Sequence, residues 1–484
     1  MFLRNIFKVC SANALSQVIS LLAVPVITRI YDPNEYGIFN SVYLAYVMLL
    51  FPIAGFRLNA AVLLPKSDED ASELFLISCI STLIFSTVVG LIILSLIAGD
   101  LLPNSWNSSV YTTMLLLIPI GIFIQGIQQN LISWTIRQKR FNTSAISRIS
   151  ESVCDRSSVL TYGFLLSNGF LGLIIGRILG PMIASIILFK NNYKELAGIM
   201  NRINGKKCKA LLKRYNRFIF FSTPAAIFDT ASRQVPLIIM SWYFVAEAIG
   251  HYALAIQVVN LPMLVISDAI TNVFMQKAAQ SKQQGVDITA DIKILIKYML
   301  YLILPIISVL IFSGPMLFSF VFGERWVAAG ELSSILAIMF LFTFIHRPLS
   351  AFFDVHERQR ARFFFDLVLL IGRCSCIFAG ALIFDSMHVA ITLLVVWSSI
   401  VYLTGLVYLL RVVGISFFDF SGTIKNAFLS ATPLILFLAI VSKSSVNINL
   451  LLMLLSSGIA IHIIWIILFD PNLRLKVSAY MVRR

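Results

Sequence analysis

The chain has 484 residues, of which 58% are hydrophobic and 13% charged, with a formal net charge of +15 and a mean hydropathy of +0.88. Soluble domains carry about 25% charged residues, and no polar stretch here is long enough to form one. That excludes a soluble enzyme, and it excludes nucleic acid as a partner, because the positive charge is distributed between apolar runs and forms no basic domain.

The N-terminus, MFLRNIFK, has the basic start of a signal peptide. The apolar run behind it continues to about Ile30 without a convincing cleavage site, so it reads as a retained first helix. Fourteen runs have the length and apolarity of a membrane-crossing helix. They lie near 9–30, 37–56, 74–98, 111–134, 143–166, 169–189, 218–242, 250–274, 293–319, 329–352, 363–384, 388–410, 426–442 and 448–469. The fifth is the least apolar, with Arg148, Glu151, Asp155 and Arg156 in its first half. Without the last two runs the count is twelve. If the N-terminus is cytoplasmic, most of the 38 Lys and Arg residues fall in cytoplasmic segments. The outer loops then keep only Arg29, Arg325 and Lys443. This bias places both termini in the cytoplasm of a multi-pass protein of the plasma (inner) membrane.

The longest polar connection is KNNYKELAGIMNRINGKKCKALLKRYNR, 190–217. It reads as a basic segment lying against anionic membrane lipids and as a hinge between two bundles. Its Gly205-Lys206 lacks the spacing and preceding strand of a phosphate loop. Weak echoes suggest an internal repeat. Pro25 and Pro236 precede Gly37 and Gly250, and Trp106 in one outer loop matches Trp326 in another. Such echoes are typical of transporter halves. The expected architecture is all-α. It comprises a six-helix bundle at 1–190, a linker at 191–217, a second six-helix bundle at 218–410, and two further helices with a tail at 411–484.

Charges inside apolar runs are costly and mark functional interiors. Arg148, Ser152, Asp155 and Arg156 recur at spacings of three and four, so they share a helix face, with Glu151 beside them. Asp229 and Arg233 can pair within one helix. Arg177 and Arg373 have no acid within a turn of their own helices. Asp268 lies in the eighth run. The five histidines show no paired ligand spacing and the cysteines no metal or redox motif, so neither metal nor cofactor is expected.

Several stretches resemble a known family. ITRIYDPNEYGIFN (27–40) is similar to its first outer loop and FRLNAAVLLPKSDEDA (56–71) to its first cytoplasmic loop. RYNRFIFFSTPAAIFDTASRQVPLII (214–239) and IGHYALAIQVVNLPMLVISDAITNVF (249–274) resemble its seventh and eighth helices. FGERWVAAG (322–330) and ERQRARFFFDL (357–367) resemble later loops. The family is the polysaccharide-exporter branch of the multidrug/oligosaccharidyl-lipid/polysaccharide exporter superfamily, the Wzx-type O-antigen flippases. Asn59 stands where that family often has an acid, and Asp268 where it usually has a small residue.

The resemblance implies a two-bundle fold with a central cavity that alternates between the two membrane faces. The implied cargo is an oligosaccharide repeat unit on a polyprenyl diphosphate, with a polysaccharide polymerase and a chain-length regulator as candidate partners. An Arg-lined cavity suits a diphosphate. The candidate cationic residues are Arg233, Arg177, Arg148, Arg373 and Arg156. The candidate coupling or charge-balancing acids are Asp229, Asp155, Glu151 and Asp268. Two relatives in function stay open: a multidrug exporter, whose cationic cargo would want an acid-rich site, and a flippase for the peptidoglycan lipid precursor. A membrane polymerase or glycosyltransferase would need a large catalytic loop that the sequence does not show. Transport without chemistry on the cargo implies no enzyme.

Overall fold

A computed structural model of the chain describes residues 2–442 except 103–105, 107, 167–168, 201–204, 217, 351, 354–355, 357 and parts of 268–286, together with 457, 458, 460 and 462. Every regular element among the described residues is helical. The first six helices are α1 (Phe2–Ile30), α2 (Pro33–Ala54), α3 (Asp68–Ala98), α4 (Ser109–Arg137), α5 (Phe141–Leu166) and α6 (Leu171–Met200). A short basic helix, Gly205–Arg214, follows. The remaining helices are α7 (Thr223–Tyr243), α8 (Ala246–Val259), α9 (Thr289–Phe322), α10 (Val327–Leu349), α11 (Gln359–Leu382), α12 (Met387–Val412) and α13 (Phe417–Ser442).

Nine helices among the described residues are long and apolar enough to cross a membrane. The chain is a multi-pass helical membrane protein. The expected fifth and seventh spans, α5 and α7, form as helices but fall outside those nine, as does the eighth (250–274), whose α8 covers Ala246–Val259. α5 carries Arg148, Glu151, Asp155 and Arg156, and α7 carries Asp229 and Arg233. The thirteenth expected span contains a shorter apolar helix, Ile424–Ile440. Asp268 and most of the fourteenth expected span lie outside the described residues.

The motif DPNE is a helix start. The Asp32 side chain accepts from the Glu35 backbone N–H at 2.8 Å, and the Glu35 carboxylate accepts from the Asp32 N–H at 3.2 Å. That is a capping box with Pro33 in the first turn, and it satisfies first-turn amides that have no partner within the helix. α2 then widens into a π-helical stretch over Phe39–Leu44. Beside it, Asn40 and Ser41 donate to the carbonyls of Tyr36 and Gly37. The 62–68 connection is fixed by Arg137. Its guanidinium donates to the carbonyls of Val62, Pro65 and Ser67 and to Asp68.

By their contacts the described helices form two units, Met1–Ala253 and Leu254–Arg484. In the first, α1 packs on α5, α5 on α6, and α3 on α4. α7 follows the 191–217 linker in sequence, yet it packs along α2 within this unit. The first turns of α2 and α8 meet there through reciprocal glycines. A Cβ on Gly37 would lie 1.7 Å from the Ala246 carbonyl oxygen, and one on Gly250 would lie 1.9 Å from that of Pro33. Only glycine permits such backbone approach. The second unit is centred on an apolar cluster that includes Ile292, Ile296, Phe352, Phe353, Leu406 and Leu409.

Candidate functional site

The site begins with a stripe of glycines. Gly172, Gly176 and Gly180 recur every four residues on α6, so they share one face, and small residues at this spacing let membrane helices approach closely. The α5 backbone lies against that face. A Cβ on Gly176 would fall 2.7 Å from the Asp155 carbonyl oxygen, and one on Gly180 would fall 2.9 Å from that of Glu151. On the other side of α5, Ser152 donates to the Ser16 carbonyl of α1 at 2.9 Å and lies 3.0 Å from the Ser20 hydroxyl. α5 is therefore held between two small-residue surfaces, which fixes the direction of its charged face.

That face meets Arg177, the residue after Gly176. The Arg177 guanidinium lies 3.4 Å from Asp155 Oδ2, and that of Arg156 lies 3.8 Å from the same oxygen. Neither contact is accompanied by a hydrogen bond to Asp155, and Asp155 Oδ1 is buried with no hydrogen-bond partner. Glu151 is held differently: Gln128 of α4 donates to its Oε2 at 2.6 Å. Arg148 and Arg177 both act electrostatically on Glu151, and Tyr36 of α2 faces Arg156, Arg177 and Asp155. The Nε atoms of Arg148 and Arg156 are buried and unpartnered. Three guanidinium groups thus face two carboxylates. The arrangement has one positive charge in excess and donors free to take an anion.

The other expected site residues lie elsewhere. Arg233 makes a bidentate pair with Asp229, at 2.9 and 2.6 Å. Both side chains are about half exposed. Such an exposed pair is inexpensive only where water reaches it. Arg373 belongs to the second unit. It is 8% exposed, donates to Ser398 Oγ at 2.9 Å and to Tyr402 Oη at 3.3 Å, and lies 5.9 Å from the centre of the Tyr402 ring. No His, Cys, Asp or Glu cluster suited to a metal occurs among the described residues.

The structure therefore brings together Arg148, Glu151, Asp155, Arg156 and Arg177. Three contributors went unnoticed in the sequence: Gln128, Tyr36 and the glycine stripe. The stripe alone was detectable, as a repeated Gly-x-x-x-Gly spacing.

Comparison with known proteins agrees with this architecture. The family model described as "Polysaccharide biosynthesis protein" matches residues 26–331, well over half of the chain. The teichuronic acid biosynthesis protein TuaB of Bacillus subtilis is 22% identical over 320 residues, covering 64% of this chain and 63% of that relative. Among solved structures, lipid II flippase MurJ in an inward closed conformation superposes with a TM-score of 0.70 at 17% identity, covering 96% of this chain and 99% of that one. An inward-facing multidrug resistance MATE family transporter of the MOP superfamily gives a TM-score of 0.64 at 11% identity, covering 82% and 94%. The fold is thus one shared by transporters, and the chain belongs to the polysaccharide biosynthesis protein family.

Proposed function

We propose that the protein is a Wzx-type flippase. It carries a polyprenyl-diphosphate-linked oligosaccharide, a repeat unit of O-antigen or a related surface polysaccharide, from the cytoplasmic to the outer face of the inner membrane. The observation that carries this reading is the arginine excess on the buried face between α5 and α6. A diphosphate fits such a site because each guanidinium can offer two parallel N–H donors to phosphate oxygens. The glycan also needs a polar route, because burying its hydroxyls without partners is costly, while the polyprenyl tail can stay in hydrocarbon. The names of the relatives, a teichuronic acid biosynthesis protein and a lipid II flippase, support a lipid-linked glycan cargo. A multidrug exporter would need carboxylates in excess to hold a cationic drug, and the cluster has the opposite balance.

The reading includes alternating access between the repeat-related bundles 1–190 and 218–410, joined by the 191–217 linker, with 411–484 as an accessory segment. Gly37 and Gly250 lie at the expected outer ends of the second and eighth spans, where their backbones touch. A covalent crosslink between the first turns of α2 and α8 should then stop transport. Both termini are cytoplasmic in this reading, so reporter fusions at Asn107, Ser167, Glu247 and Met387 should report the outer side. A polysaccharide polymerase and a chain-length regulator would act on the delivered unit.

The test is complementation of surface polysaccharide in a flippase-null strain, with membrane levels of the protein matched. Arg177→Ala and Arg156→Ala should each reduce surface polysaccharide severely. Wild-type polysaccharide from both variants would refute the cationic site. Rescue of a strain lacking its peptidoglycan-precursor flippase, without rescue of surface polysaccharide, would reassign the cargo.

A further inference from the structure

We infer that Asp155 is a built-in surrogate for the cargo's phosphate: it occupies the Arg156–Arg177 pair when the site is empty and is displaced when a phosphate enters. The inference rests on the flippase reading and concerns how that site releases what it binds.

The two carboxylates of the cluster are held in opposite ways. Glu151 has a short hydrogen bond from Gln128 and is tied to α4. Asp155 has none. Its Oδ2 approaches two guanidinium groups at 3.4 and 3.8 Å, and its Oδ1 lies over the bare Cα of Gly176, where a Cβ would come within 2.7 Å of it. α1 offers Ser16, whose carbonyl accepts from Ser152 while its own hydroxyl is buried without a partner, and Ser20, whose hydroxyl lies 3.0 Å from that of Ser152. α2 offers Tyr36, α4 offers Gln128, already given to Glu151, and α6 offers Arg177.

A carboxylate that is 5% exposed and lacks hydrogen bonds is poorly compensated for its lost hydration. It nonetheless balances the charge of two arginines, Arg156 and the partly exposed Arg177. Such an anion is the easiest one in the cluster to replace. An incoming phosphate supplies the charge-assisted bonds that Asp155 does not make, and the returning carboxylate helps eject it. Without this competitor the arginines would hold the cargo too firmly to release it.

The experiment uses the purified full-length protein in lipid nanodiscs with inorganic pyrophosphate as probe, alongside the complementation assay. Asp155→Asn keeps the side-chain shape and removes the competing charge. It should bind pyrophosphate about tenfold more tightly than wild type and yet deliver less surface polysaccharide. Arg177→Ala should lose pyrophosphate binding, and Glu151→Gln should change affinity less than Asp155→Asn. If Asp155→Asn does not fold, Asp155→Ser carries the same expectation. Wild-type binding that Arg177→Ala abolishes but Asp155→Asn or Asp155→Ser leaves unchanged or weaker would overturn the inference alone. Absence of pyrophosphate binding in wild type and in every variant would overturn both the inference and the phosphate site beneath it.

Discussion

The tripeptide Ile-Gly-Arg occurs at 175–177 and again at 371–373, and the two copies end in different surroundings. On α6, Gly176 admits the backbone of α5, and the next residue, Arg177, meets a carboxylate across that contact. On α11, Gly372 admits the indole of Trp397 on α12, whose Nε1 donates to the Val368 carbonyl at 3.2 Å. The next residue there, Arg373, meets the hydroxyls of Ser398 and Tyr402. In both places glycine lets a neighbouring helix close in, and the neighbour decides what the arginine does. A carboxylate at 3.4 Å without hydrogen bonds leaves Arg177, which is 31% exposed, open to exchange. Hydroxyls and a ring fix Arg373 in the protein.

The comparison breaks most severely at the glycines. Gly176→Ala would set a methyl group 2.4 Å from Val159 Cγ2 and 2.7 Å from the Asp155 carbonyl oxygen, and that backbone oxygen cannot yield without separating α5 from α6. We expect a loss of about 1–3 kcal/mol, read as a lower melting temperature in detergent, together with loss of transport. In Gly372→Ala the collision is with the Trp397 indole, 1.8 Å from Nε1, and relief means turning that side chain and giving up its bond to the Val368 carbonyl while the backbones stay in place. Its melting temperature should fall less. Equal losses would mean that the neighbour's identity does not matter.

The arginines sharpen the comparison one step further. Arg177→Ala should abolish surface polysaccharide with little change in melting temperature. Arg373→Met should do the reverse, losing about 1–3 kcal/mol by stranding the hydroxyls of Ser398 and Tyr402, with transport reduced only in proportion to the amount of folded protein. Severe loss of transport at normal stability in Arg373→Met would move that residue into the cargo site.

Helix positions were legible in the sequence because apolar runs of membrane length carry their own signal. α5, the least apolar of the runs, and α7 were legible as charged because their Arg, Asp and Glu residues interrupt such runs. The grouping of the charges was less legible. Arg177 has no acid near it along the chain, and Asp155 reaches it only because Gly176 and Gly180 bring α5 against α6, a pairing that no local periodicity encodes. Asp229 and Arg233 were legible as a pair because four residues is one helical turn. Their exposure was not, since it depends on what α7 packs against.

That exposure shapes the smallest expected effect. Both Nη groups of Arg233 are engaged by Asp229, so cargo can use this guanidinium only by sharing or displacing that carboxylate. An exposed ion pair contributes about 0–1 kcal/mol, so breaking this one costs little stability. Arg233→Lys keeps the charge and loses the fork. It should lower surface polysaccharide partly, by less than Arg177→Ala. Asp229→Ala frees the Arg233 fork and should leave transport at or above half of the wild-type level at equal expression. If Arg233→Lys is as damaging as Arg177→Ala while both proteins melt at the wild-type temperature, α7 belongs to the cargo site on equal terms with α5 and α6. The cargo site of the first unit would then extend beyond the glycine stripe that positions Arg177.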